Sequence, residues 1–189
     1  KRRLAFSTVS NLSYIPLAAS LMSPAGLTCS LTHMVFHGII KINAFFCAGA
    51  VMTVAKRNYV SEMAGIGRKM PIPMAAFTVS ACALVGIPPF NGFVSKWKLV
   101  SAGVTDGSVM GMIGGIAIFV SAMLTVVYMF SIVIKAFFPG KEEVLCDSGK
   151  DPGWMETVPV MVFCVLMLLT GLFPQMLIDG LASVANGLC

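Results

Sequence analysis

Apolar residues fill this chain in runs long enough to cross a hydrocarbon layer, and polar positions interrupt them in few places. The pattern predicts five spans, at about residues 4–22, 29–55, 72–104, 109–138 and 157–173. The first is short and carries a hydroxyl-rich face of Ser7, Ser10 and Ser13, with Asn11 nearby. The middle three exceed the roughly 20 residues that a crossing requires, which tilt accommodates. Residues 174–189 alternate weakly between apolar and polar, so a tail and a partial helix both remain open. The expected organisation is therefore a five-span unit over 1–173, followed by 174–189.

The third segment decides the topology. At about 1.5 Å per residue its roughly 33 residues would form a rod of about 50 Å, too long for one straight crossing. It is interrupted at Gly86-Ile87-Pro88-Pro89-Phe90-Asn91-Gly92. The two prolines remove two backbone donors and push Ile87 out of the α region, so a helix must break there. Basic residues choose between one broken span and two spans joined by a turn. With one broken span, nine of the thirteen Lys and Arg residues share a side: Lys1, Arg2, Arg3, Lys56, Arg57, Arg68, Lys69, Lys141 and Lys150. Lys135 ends the fourth span on that side, and the opposite loops, 23–28 and 105–108, carry no Lys or Arg. The positive-inside rule makes the basic side cytoplasmic and favours the broken span.

Composition agrees with a polytopic, all-α membrane protein: 57% of residues are hydrophobic, 11% are charged, and the mean hydropathy is +0.89. The net charge of +5 is dispersed over loops and does not form the basic face that nucleic acid requires. The six cysteines, Cys29, Cys47, Cys82, Cys146, Cys164 and Cys189, contain no C-x-x-C pair and read as small apolar residues. The fourteen methionines read as core filler, and Gly107, Gly111 and Gly115 as a close-packing stripe on the fourth span. The start, Lys1-Arg2-Arg3-Leu4-Ala5-Phe6, leads into residues too polar for a signal peptide's apolar region. Without an initiating Met, the chain is expected to be a piece of a longer protein.

Against this apolar background, Lys41, Lys96 and Lys98 lie within membrane-length stretches that hold no carboxylate. A cation in hydrocarbon costs several kcal/mol, so such residues face a protein interior or a hydrated path. Snorkelling to the headgroups suits Lys98 and Lys135 but not Lys41, which has apolar sequence on both sides. His33, His37 and Lys41 recur every four residues, which places them on one helix face with about 6 Å of rise between neighbours. Histidine exchanges protons near neutral pH, and a lysine in low dielectric releases its proton more readily than in water. A row of such groups is what a proton path needs. Hydrogen-bonded packing is the duller alternative. A metal site is a third, although His33-Met34-Val35-Phe36-His37 lacks the metalloprotease glutamate and an evident third ligand.

Discontinuous membrane helices place free backbone ends at mid-depth, where ions interact with them. Lys96 follows the break by about one turn. Carbonyls near Leu84-Val85-Gly86 favour its charged form, whereas the amide end at Gly92-Phe93 and desolvation oppose it. The competing reading is a proline kink with a snorkelling lysine.

Together, Arg3-Leu4-Ala5-Phe6-Ser7-Thr8-Val9-Ser10-Asn11-Leu12-Ser13-Tyr14, the His33/His37/Lys41 ladder and Gly86-Ile87-Pro88-Pro89-Phe90-Asn91-Gly92-Phe93-Val94-Ser95-Lys96 resemble the proton-conducting antiporter-like membrane subunits. That family includes the large proton-pumping subunits of respiratory complex I, Mrp-type sodium/proton antiporter subunits and membrane arms of energy-converting hydrogenases. The resemblance covers nearly the whole chain and keeps the family's motif order. It implies two inverted five-helix repeats, each with one broken helix, of which this chain resembles the second, C-terminal one.

On that mapping Lys41 is the central-axis lysine, His33 and His37 are connecting groups, and Lys96 is the ionisable residue at the second broken helix. Gly86, Pro88, Pro89 and Gly92 shape the break. The first-repeat lysine and its partner glutamate would lie upstream. Asn43, followed by Phe45-Phe46, departs from the small-residue and leucine run of relatives, and Lys98 has no family role. The implied activity is proton translocation, with or without sodium, in a redox-driven or antiporter complex of a bacterial or archaeal cell membrane. Its partners would be the lipid bilayer and other membrane subunits. No catalytic residue, metal, cofactor or redox centre is expected in this chain, and no nucleic acid. A free-standing sodium/proton exchanger and a non-conducting membrane scaffold are the alternatives.

Overall fold

The computed structural model describes residues 2–56, 59–105, 107, 109–138 and 152–188. Lys1, Arg57, Lys141, Cys146, Lys150 and Cys189 lie outside the described residues. Among the described residues the elements are helical throughout, and the fold is an all-α transmembrane bundle with one proline-broken helix.

The first predicted span is two short helices, α1 (Arg2–Leu12) and α2 (Tyr14–Ala19). Pro16 explains the division: it cannot donate to the Leu12 carbonyl, four residues back, and its ring crowds that position. Helix α3 (Pro24–Val54) starts where Ser23, in extended conformation, accepts a hydrogen bond from the Gly26 amide at 3.1 Å. Pro24 at the first helical position costs no hydrogen bond there. The single 3₁₀ turn Val60–Glu62 and the short α4 (Ile66–Lys69) then lead into α5.

Helix α5 (Pro71–Val85) and helix α6 (Asn91–Thr105) are the two halves of the broken span. Gly86 ends α5 with φ +96°, a conformation that side chains oppose, and its amide donates to the Cys82 and Ala83 carbonyls. Gly92 permits the halves to meet, since a Cβ there would collide with the Ala83 carbonyl. The Pro88-Pro89 peptide is cis. Because its side chain would meet the Ala83 carbonyl, Gly92→Val is expected to cost at least about 1–3 kcal/mol of packing energy. Its readout is the yield of monodisperse protein after detergent extraction, and a yield equal to wild type would show that the halves can separate freely.

Helix α7 (Val109–Phe137) packs on α5 and α6, and α8 (Trp154–Leu172) on α3, α5 and α6. Helices α3, α7 and α8 are each long and apolar enough to span, whereas α5 alone is shorter. Residues 175–188 form α9 (Gln175–Leu188), which rests on α3 with Ile178 and Ala185 buried. Helix α3 is thus the central rod. Its Ile40, Ala44, Cys47 and Val51 join Met74, Phe77 and Leu84 of α5, Met129 and Ile132 of α7, and Met167 of α8 in the main core.

Two sequence expectations need correction. Gly107 precedes α7, at φ +67°, and a Cβ there would meet no atom within 4 Å among the described residues. The close approach is made by Gly111 of α7 against the backbone of Gly103 of α6, with Gly115 near Val100. The methionines are not uniformly core: Met70, Met74, Met129 and Met167 are buried, but Met22, Met110, Met155 and Met176 point outward. Lipid is as apolar as the interior, so outward methionines carry no hydration penalty. The same reason covers Ile116, Phe119, Val120 and Val127 on the outer face of α7. Cys29, Cys47 and Cys164 are buried and Cys82 is partly buried, all as free thiols.

Candidate functional site

Helix α1 runs alongside α3 and turns one polar edge toward it. Leu4, Ser7 and Asn11 share a face of α1, at the i, i+3, i+7 spacing that aligns residues on a helix. Opposite them, α3 presents His33, His37 and Lys41. The Lys41 amine donates to the Leu4 carbonyl at 3.1 Å and to the Ser7 hydroxyl. One face of α1 therefore meets both ends of the ladder: Leu4 and Ser7 at Lys41, and Asn11 at His33, whose Nε2 lies 3.2 Å from the Asn11 carbonyl. All three ladder residues are buried, His33 at 3%, His37 at 4% and Lys41 at 5% exposure.

The histidine rings stack at 5.7 Å between centroids and 22° between planes, and Tyr14 tilts against His33 at 5.4 Å. The other ring nitrogen of His33, Nδ1, is 3.2 Å from the Ser95 hydroxyl of α6. The ladder is thereby tied to the broken span through the residue that precedes Lys96. His37 Nε2 is buried without a hydrogen-bond partner among the described residues. A groove of about 610 Å³ reaches both His37 and Lys41, with Thr8, Met34, Ile42 and Phe45 among its walls.

Lys96 is 8% exposed, and its amine lies against the end of α5, donating to the Leu84 carbonyl at 2.7 Å and the Val85 carbonyl at 3.0 Å. These carbonyls belong to the last turn of α5, where no further turn supplies amide donors. The amine supplies them. Two hydrogen bonds and the negative end of a half-helix dipole favour a charged amine there, against the cost of burial. Gly86 leaves room for the lysine stem, since a Cβ at Gly86 would sit 3.2 Å from Lys96 Cδ. Gly171 of α8 closes over the break, too near the Pro89 carbonyl and the Asn91 amide to admit a side chain.

The structure thus brings His33, His37, Lys41 and Lys96 into one buried region beside Gly86, Pro88, Pro89 and Gly92. Lys98 stands apart, only partly buried, on another face of α6. Among the described residues no group of three or more metal-ligating side chains occurs.

Sequence reasoning missed Ser95, Ser7 and the Asn11 carbonyl as partners of the ladder. Ser7 and Asn11 carried a signal in the polar face of α1, but Ser95 carried none beyond its place before Lys96. It also missed Asn43, fully buried, which donates to Ser80 at 3.0 Å and to the Cys164 sulfur at 3.3 Å. Asn91 is fully buried too, with neither amide atom hydrogen-bonded among the described residues.

Comparison with known proteins identifies the fold and the family. The model of the family described as NADH:quinone oxidoreductase/Mrp antiporter, TM matches residues 1–135. The chain is 30% identical to NADH-quinone oxidoreductase subunit N of Desulforudis audaxviator, over 97% of this chain and 38% of that protein. It is 32% identical to NADH-quinone oxidoreductase subunit L of Mycobacterium tuberculosis, over 90% of this chain and 26% of that protein. It superposes with a TM-score of 0.86 and 25% identity on a chain of the Mrp complex from Dietzia sp., covering 97% of this chain and 42% of that one. The chain spans about a quarter to two fifths of the length of these curated relatives. It is an integral membrane protein, and by the family match over residues 1–135 it belongs to the NADH:quinone oxidoreductase/Mrp antiporter transmembrane family.

Proposed function

We propose that this chain carries part of a proton route through the membrane, within a subunit of a redox-driven pump or a cation/proton antiporter complex. The observation that carries the reading is the enclosure of four ionisable side chains, His33, His37, Lys41 and Lys96, each at most 8% exposed, beside a break in a membrane helix. Buried cations without an acid partner are costly, and a protein retains them where charge must move. Each amine is held by oxygen acceptors, and each imidazole is within a ring's breadth of a neighbour. Polar atoms such as His37 Nε2 and the Asn91 amide are the kind that ordered water satisfies, and water bridges gaps of about 6 Å between titratable groups. Protons pass along His33, His37 and Lys41 and are exchanged with Lys96. Charge at one site changes the favoured protonation of the next by electrostatics over several Å.

The relatives' names include NADH-quinone oxidoreductase subunits and an Mrp complex, and on this reading the chain is a portion of a membrane subunit of either kind of assembly. Other membrane subunits complete the assembly, and any electron transfer belongs to partners of this subunit. The test is His37→Phe in the intact assembly, reconstituted in vesicles and read with a pH-sensitive dye. Phenylalanine keeps the stacking and removes the titratable nitrogens, and translocation is expected to fall at least about tenfold with assembly retained. Unchanged translocation would remove the ladder from the route. Transport that requires sodium on the opposite side favours the exchanger, and intact translocation with weakened assembly favours the scaffold.

A further inference from the structure

His33 has two ring nitrogens with unequal neighbours. Nε2 points at the Asn11 main-chain carbonyl, 3.2 Å away, and a carbonyl can accept a hydrogen but has none to hand on. Nδ1 faces the Ser95 hydroxyl at 3.2 Å, and that hydroxyl also lies 3.2 Å from the Gly92 carbonyl of its own helix. Ser95 is 1% exposed and His33 is 3% exposed, so bulk water serves neither. The hydroxyl has one hydrogen and two acceptors within reach. We propose that Ser95 is the positioning hydroxyl through which His33 exchanges its proton, its hydrogen switching between His33 Nδ1 and the Gly92 carbonyl. The inference rests on the proton route set out above and adds the port by which the ladder meets the broken span.

Hydrogen counting fixes the two states. In neutral His33 the hydrogen sits on Nε2, because a bare Nε2 would oppose the Asn11 carbonyl lone pairs. Nδ1 then accepts from the Ser95 hydroxyl, and the Gly92 carbonyl keeps only its helical hydrogen bond. When a protonated water of the route gives its extra proton to Ser95 Oγ and is left as neutral water, the hydroxyl's original hydrogen passes to Nδ1. The O–H bond to that hydrogen breaks as the new one forms, and the imidazole becomes a cation with both nitrogens donating. Ser95 now accepts from Nδ1 and turns its own hydrogen to the Gly92 carbonyl. Release is the reverse. No proton is created or lost, and charge on His33 is reported at Gly92, the residue on which the two half-helices close.

Serine bonding back to a carbonyl three residues earlier is common in helices, and that purely structural role predicts a small stability difference between isosteric replacements but no change in the His33 imidazole bands. Ser95→Thr and Ser95→Val have the same shape and differ in the hydroxyl, and valine leaves no space for water to replace it. In the intact assembly, Ser95→Thr is expected to translocate within about twofold of wild type, and Ser95→Val to fall at least about tenfold. Infrared spectra with isotope-labelled histidine should show the Nδ1 hydrogen bond of His33 in wild type and Ser95→Thr, and its loss in Ser95→Val. Equal translocation by the threonine and valine variants, or identical imidazole bands in both, overturns the proposal. Absence of translocation in the wild-type assembly would instead overturn the parent reading, while the bands still report on Ser95.

Discussion

Lys41→Met in the intact assembly is expected to abolish proton translocation, or reduce it by at least about tenfold, with the assembly retained. Methionine fills the volume of the lysine stem and removes the only group on α3 that bonds both the Leu4 carbonyl and Ser7. A hydrogen bond from a charged group contributes about 1.5–3 kcal/mol, but burying the ammonium costs a comparable amount, so net stability changes little. Function does not share that cancellation, because methionine cannot take up a proton. The measurement is dye-detected acidification of vesicles, paired with the amount of assembled complex on native gels. Pumping at wild-type rate with less complex would leave Lys41 as an anchor to α1, as in a scaffold.

The second large effect is expected from Lys96→Met, which should likewise stop translocation. Here the structural consequence is separable from the functional one. The end of α5 is held without Lys96, since the Gly86 amide bonds the Cys82 and Ala83 carbonyls and the Ile87 amide bonds Cys82 at 3.0 Å. Loss of the amine leaves the Leu84 and Val85 carbonyls without a charged donor, but the turn remains capped. The broken helix should therefore form in the variant, and protease resistance of the extracted protein should match wild type. Lys98→Met supplies the control two residues away and is expected to stay within about twofold of wild type, as for surface changes away from special features. Equal losses in both variants would show that any cation lost from α6 disturbs the assembly.

The helical spans were legible because membrane crossing demands length and apolarity, and both are properties of consecutive residues. The break was legible for a similar reason: Pro88 and Pro89 cannot continue a helix wherever they fold. The division between α1 and α2 at Leu12 was equally accessible through Pro16, but the short apolar run concealed it. Gly107 was misplaced because periodicity does not say where a helix begins. The stripe on α7 is read correctly only from Gly111, where the backbone of Gly103 lies against it.

Partnerships are another matter. His33, His37 and Lys41 fall on one face by helical spacing alone, so their mutual proximity followed from sequence. That this face meets Leu4, Ser7 and Asn11 of α1, with Ser95 of α6 closing the far side, depends on how three helices pack. Asn43 had looked like a mere departure from the family pattern, yet it reaches Ser80 and Cys164 on two other helices.

By itself, the sequence determined which segments can live in a membrane, where one of them must fracture, and which ionisable groups are carried inside. These are local consequences of hydration energy and backbone geometry. Only the tertiary structure decided that Lys41 and Lys96 are turned inward onto backbone oxygens and that a serine joins His33 to the fracture. Those outcomes depend on the angles at which helices cross and on which carbonyls are left open, quantities that no run of neighbouring residues encodes.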